Sequence, residues 1–142
     1  MVSDAELGVE TSRGILTGLV ELRAVQIVMP VVDASDLTVW LYWQPLAPSE
    51  RDLRVFVHLI GGINPATGTP LWSQDDGPPQ DGRISTQSWT VGTNYRDVYQ
   101  VPLANVPSGT YELRVGFYDP VSGTRIATES GDSLSAGLIE VP

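Results

Sequence analysis

His58 is the one histidine of the chain and stands in an alternating run between Val57 and Leu59. A single imidazole rules out histidine-rich metal sites and paired-histidine acid–base schemes. A Ser-His-Asp triad needs only one, yet no nucleophile-elbow sequence lies nearby, so His58 reads as a histidine hydrogen-bonded on the second face of a sheet. Asp75, Asp76 and Asp81 cluster between Ser73 and Gly82. Carboxylates so spaced can run glycoside hydrolysis, or can ligate calcium together with backbone carbonyls. The spacing is not that of an EF-hand loop, and a small β-rich chain seldom offers the deep cleft a hydrolase wants. Turn and capping roles therefore come first, with Asp75, Asp76 and Asp81 kept as a calcium candidate and hydrolysis as the least favoured reading. Trp40, Tyr42, Phe56, His58 and Tyr118 share the parity opposite the apolar one, and Arg114 shares it too. Flat aromatic rings stack on sugars and arginine adds hydrogen bonds, so these six residues are the candidate ligand-binding set if their strands are neighbours. The competing expectation is that Trp72, Trp89 and the Asp76–Thr93 loop cover this face as a second small core.

The elements that must position these residues are strands. Leu37, Val39, Leu41 and Trp43 alternate with Thr38, Trp40, Tyr42 and Gln44. Leu53, Val55, Val57 and Leu59 alternate with Arg54, Phe56, His58 and Ile60, and Tyr111, Leu113, Val115 and Phe117 with Glu112, Arg114, Gly116 and Tyr118. Period two, in β-branched and aromatic residues bounded by turn formers, predicts half-buried strands. Leu19–Val28 is a further strand whose phase changes near Ala24-Val25, as a β-bulge would make it. Pro70–Asp75, Tyr95–Val101, Arg125–Thr128 and Leu138–Val141 complete the set. Gly61-Gly62, Asn64-Pro65, Asp119-Pro120 and Gly131-Asp132 read as turns. In Pro107-Ser108-Gly109-Thr110-Tyr111 a tight corner precedes an apolar strand, which predicts a tyrosine corner with the Tyr111 hydroxyl bonded back to backbone. The fold expected is an all-β, antiparallel two-sheet sandwich, immunoglobulin-like with Greek-key connections. Residues 1–13 read as a flexible lead-in and 14–142 as one domain.

Composition sets the outer limits. With 142 residues, 14 glycines and 11 prolines, the chain suits one turn-rich domain with a real core. A formal net charge of -9 argues against nucleic acid and anionic membrane surfaces as partners. The absence of cysteine excludes disulfides, thiolate catalysis and zinc ribbons. No cofactor is implied. No stretch reaches the roughly 18 to 20 apolar residues of a membrane helix, since Gln26 and Pro30 interrupt Val25–Val32. Met1–Glu6 does not resemble a signal peptide, so an extracytoplasmic location would depend on a segment of a longer parent.

The series Leu37-Thr38-Val39-Trp40-Leu41-Tyr42-Trp43, Val55-Phe56-Val57-His58-Leu59, Trp89-Thr90-Val91-Gly92, Asp97, Pro107-Ser108-Gly109-Thr110-Tyr111 and Val115-Gly116-Phe117-Tyr118-Asp119 resembles a bacterial β-sandwich module. That module is the soluble C-terminal domain of polytopic membrane proteins of the glycosyltransferase class, mannosyltransferase-like users of lipid-linked sugars, and it occurs in other envelope proteins. The likeness runs from about Gly18 to Ile126. It departs at Trp40, where a small polar residue is usual, and at Gly61–Asn64, where an Asp-containing turn is usual. The resemblance implies a non-catalytic accessory domain, extracytoplasmic and tethered to a membrane-bound parent. The alternative is a stand-alone carbohydrate-binding module that uses exposed aromatics. Either partner, glycan or protein neighbour, is open. Binding carried by the aromatic face alone would be weak, selective for neutral sugars and barely dependent on salt.

Overall fold

The computed structural model describes residues 14–16, 18–30, 36–128 and 131–142. The lead-in expected over 1–13 lies outside them. Strands form where the alternating series run: β1 (Gly14–Leu16), β2 (Val20–Val28), β3 (Asp36–Pro45), β4 (Arg54–Asn64), β5 (Thr69–Gly77), β6 (Tyr95–Pro102), β7 (Gly109–Tyr118) and β8 (Leu134–Val141). They make two antiparallel sheets, ordered β1-β2-β3-β6 and β5-β4-β7-β8. From β2 onward this is the arrangement of an immunoglobulin-like sandwich whose extra strand, β5, has joined the second sheet. Among the described residues no helix is long and apolar enough to cross a membrane.

The two inner faces carry the apolar phase of each strand. Leu37, Val39, Leu41, Trp43, Val55, Val57, Leu59, Leu113, Val115 and Phe117 are all wholly buried. Burying a Val, Leu or Phe side chain of this kind stabilises the fold by about 1.5–3 kcal/mol relative to exposure. Trp43 of the first sheet meets Phe117 of the second edge-on, with ring centroids 4.6 Å apart. In β2 the register shifts between Leu22 and Ala24, which is the bulge that the phase change near Ala24-Val25 predicts.

Several boundaries differ from expectation. β4 runs on through Gly61-Gly62, where the sequence predicts a turn, while the turn predicted at Asn64-Pro65 is present: Asn64 Oδ1 accepts from Ala66 N and its carbonyl from Gly68 N. The glycine at 61 serves packing rather than turning: a Cβ there would stand 2.9 Å from the Tyr111 ring. Arg125–Thr128 is not a continuous strand. It makes two isolated bridges, Arg125 to Tyr118 and Thr128 to Leu16, and so steps from one sheet to the other. β8 begins at Leu134, four residues before Leu138, because the small residues Ser135, Ala136 and Gly137 hide the pattern while a bulge opposite Leu113/Arg114 takes up the slack.

The tyrosine corner is present. Tyr111 is buried, and its hydroxyl donates to Pro107 O at 2.7 Å, tying the start of β7 to the turn before it. Tyr111→Phe keeps the ring and removes only this bond, so a stability loss of about 1 kcal/mol is expected in urea unfolding. An unchanged midpoint would show that the corner bond contributes nothing.

Candidate functional site

The six aromatic-face residues do not form one surface. β3 is bonded to β2 and β6, whereas β4 and β7 pair with each other in the opposite sheet. Trp40 and Tyr42 therefore point outward from one side of the sandwich, and Phe56, His58, Arg114 and Tyr118 from the other. Shared parity fixes the face of a strand but not which strands are neighbours.

On the second sheet the outer face is closed. Phe56 is 2% exposed, lies against Gly116, and is capped by the Arg125 guanidinium 4.2 Å from its ring centroid. A Cβ on Gly116 would sit 2.6 Å from the Phe56 ring, so only glycine allows that ring to lie across β7. His58 contacts the Phe56 ring at 4.9 Å; a ring contact stands in place of the hydrogen bond expected of it. Burial first, and the charge of Arg125 second, lower its pKa, while Asp76 raises it; His58 is neutral at pH 7. Arg114 donates to Ser133 Oγ and Ser133 O and pairs with Glu112. Tyr118 is half-buried beside Arg125. The cover comes from Arg125, Asp132 and Ser133, not from the Asp76–Thr93 loop. Trp89 lies in the main core, stacked on Tyr95 at 4.8 Å and edge-on to Phe117. Trp72 packs edge-on to Tyr111 and donates its Nε1 hydrogen to Gly62 O.

The aspartate cluster also comes apart. Asp75 and Asp76 are consecutive on β5 and so point to opposite faces. Asp75 turns to the other sheet and accepts from Gln100 N of β6 at 2.9 Å, whereas Asp76 lies on the outer face opposite Phe56. Asp81 lies in the 3-10 turn Pro79–Gly82, with its side chain outside the described part. Among the described residues no three His, Cys, Asp or Glu side chains converge as a metal site would require. Neither the calcium loop nor the paired carboxylates of a hydrolase are assembled from Asp75 and Asp76.

The outer face of the first sheet is different. Opposite Tyr42 and Trp40, β6 places Arg96 and Val98 on the same side, and Arg96 lies over the Trp40 ring at 5.3 Å. Beside them the turn that follows β5 folds against the β6 edge. Gln80 N donates to Asp97 Oδ1 at 2.8 Å and Gln80 Nε2 donates to Arg96 O. Farther along, buried Thr86 accepts from Leu53 N and donates to Arg51 O, and Trp89 enters the core. Together these anchors leave a cleft of about 420 Å³ lined by Trp40, Gln80, Arg83, Ile84, Arg96, Asp97 and Val98. That is within the roughly 300–1,000 Å³ of small-molecule sites. Gln80 has φ of 55°, an uncommon conformation for a residue with a side chain, and its Oε1 is buried without a partner. Backbone strain and an unanswered acceptor gather here, as they do at ligand sites.

Of these lining residues only Trp40 is in the set read from the sequence. Arg96 and Val98 were accessible to the same parity argument, since Tyr95, Asp97, Tyr99 and Val101 alternate with them. Arg83, Ile84 and Gln80 come from a loop, where no periodicity speaks. The chain matches no protein-family model and no curated protein.

Asp97 is the one inward-facing carboxylate of β6, 3% exposed opposite Leu41. Burial pushes its pKa up from 3.8 to about 6, against the opposing pull of donors from Gln80 N, Tyr99 OH and Val98 N. The buried indole N–H of Trp43 also favours the charged form without completing a well-formed hydrogen bond. Between the two pKa values the folded protein holds a proton that the unfolded chain has released. Asp97 thus makes stability fall as pH rises from about 4 to about 6, by on the order of 3 kcal/mol at most. In Asp97→Asn the amide still accepts from both backbone N–H groups, and the Tyr99 hydroxyl can accept from its NH2. Urea unfolding at a series of pH values should show the variant gaining on the parent across that window and levelling above about pH 7. A difference independent of pH would contradict the assignment.

Proposed function

We propose that this chain is a non-catalytic recognition domain that binds a saccharide in the cleft at Trp40. The observation that carries the reading is the convergence of a half-buried indole with the hydrogen-bonding groups of Arg83, Arg96 and Gln80 in one cleft. A pyranose presents an apolar face and an equatorial rim of hydroxyls, and it needs both a ring to stack on and polar groups around that ring. Tyr42, half-buried two residues along the same face, extends the platform. Asp97 has the raised pKa of a candidate acid, but its oxygens already accept from Gln80, Val98 and Tyr99, which makes it an anchor for the turn rather than a group aimed at substrate. The accessory role expected beside a glycosyltransferase-like catalytic part suits a domain that holds a saccharide without turning it over. The open sheet with its cleft beside a closed second sheet supports a single binding face.

A glycan array followed by calorimetric titration of the best ligand tests this. Trp40→Ala should weaken binding about tenfold or more, the ~1.4 kcal/mol scale of one aromatic contact, with the thermal midpoint nearly unchanged. Tyr118→Ala, on the closed sheet, should bind as the parent does. Loss of binding in the Tyr118 variant but not in the Trp40 variant would move the site to the other face, and a blank array would remove the saccharide reading.

A further inference from the structure

Arginine is scarce in this chain, which has 17 acidic residues against eight basic ones. Most of the described arginines are consumed in ion pairs: Arg23 with Glu21 at 3.2 Å, Arg51 with Asp119 at 3.3 Å, Arg114 with Glu112 at 3.4 Å and Arg125 with Asp132 at 3.2 Å. Arg83 and Arg96 have no carboxylate partner among the described residues, although acids outnumber bases two to one, and both line the same cleft. Arg54, the remaining unpaired one, stands on the opposite sheet. Arg96 is held over Trp40, and its guanidinium N–H groups make no hydrogen bond to any described residue. An arginine positioned by a ring and left with free donors is pre-organised to receive a planar acid in a two-pronged bond. The one carboxylate in the described lining, Asp97, has both oxygens turned to donors of the fold, so among the described lining residues two guanidiniums face the cleft against one carboxylate already engaged.

We propose that the ligand of this cleft is an acidic saccharide, a hexuronate-containing oligosaccharide whose carboxylate is bound by Arg83 and Arg96. The proposal rests on the saccharide reading above and narrows it. A neutral sugar would use Trp40 and offer hydroxyls to the guanidiniums, but would leave their two charges uncompensated. A bare inorganic anion would answer the guanidiniums and leave Trp40 and Ile84 unused. A hexuronate supplies a ring face for the indole and a carboxylate for the arginines. This replaces the neutral-sugar selectivity expected of the aromatic face alone, because the two arginines enter the site from a strand and a loop that lay outside that set.

The test compares a galacturonate trisaccharide with its methyl ester, which keeps the rings and removes the charge, by titration of the intact chain at about pH 7. The acid should bind roughly tenfold or more tightly than the ester, and the preference should shrink several-fold between about 50 and about 500 mM salt. Arg83→Gln and Arg96→Gln should each bring the acid to within about threefold of the ester, by weakening acid binding more than ester binding. Arg96→Lys should lose most of the preference as well, since a point charge lacks the planar fork. Equal binding of acid and ester by the parent chain would overturn the acidic-ligand inference and leave the saccharide reading intact. Binding of neither, with a blank array, would overturn both. The parent comparison needs no variant to fold.

Discussion

The contact on which the structure depends is the aromatic chain that crosses the sandwich. Trp43 from the first sheet meets Phe117 from the second, Trp89 meets Phe117 edge-on, and Trp89 stacks on Tyr95 with ring planes only 7° apart. These four rings join both sheets to the loop before β6. The interior packs at crystal-like density, so rings of this size fix the distance between sheets and the path of whatever segment carries them. Trp89 holds one end of the loop and the Gln80–Asp97 bond holds the other, and the stretch between them delivers Arg83 and Ile84 to the cleft. The site is thus a by-product of core packing at one edge of the first sheet.

Much of this architecture is legible in the sequence, for one physical reason: a pleated strand puts alternate residues on opposite faces, so a one-dimensional pattern reports burial directly. Leu37, Val39, Leu41, Val55, Val57, Leu113, Val115 and Phe117 are buried as their phase requires, and Tyr111 bonds to its corner. What parity cannot report is strand order. Trp40 and Phe56 look alike in the pattern, yet their strands hydrogen-bond in different sheets. Adjacency depends on which long connections cross the sandwich, and that is decided by packing between residues far apart in the chain. The two glycines at 61 and 62 mislead for a related reason. Gly61 is selected by the neighbouring Tyr111 ring, a contact fifty residues away, and carries no local turn.

The two outer faces show how similar residues reach different ends. Both carry aromatics on strands of comparable length. On the second sheet the chain after β7 doubles back, and Arg125, Asp132 and Ser133 settle over Phe56 and Arg114. On the first sheet Arg96 leans over Trp40 from the neighbouring strand, and no crossing segment among the described residues seals it. Cation–ring contact occurs on both faces. On one it completes a lid, and on the other it shapes an opening.

The stitching between β5 and β6 has a consequence of its own. These are edge strands of different sheets, and the Ser73 hydroxyl donates to Pro102 O while the Asp75 carboxylate accepts from Gln100 N. Two main-chain groups that β6 would offer to a foreign strand, Gln100 N and Pro102 O, are here satisfied from within the same molecule. A charged residue on each side, Asp75 inward and Arg96 outward, adds a further barrier to an incoming chain. At these positions β6 is therefore a poor template for strand exchange or fibril growth, since an incoming chain would first have to displace bonds the domain already makes to itself.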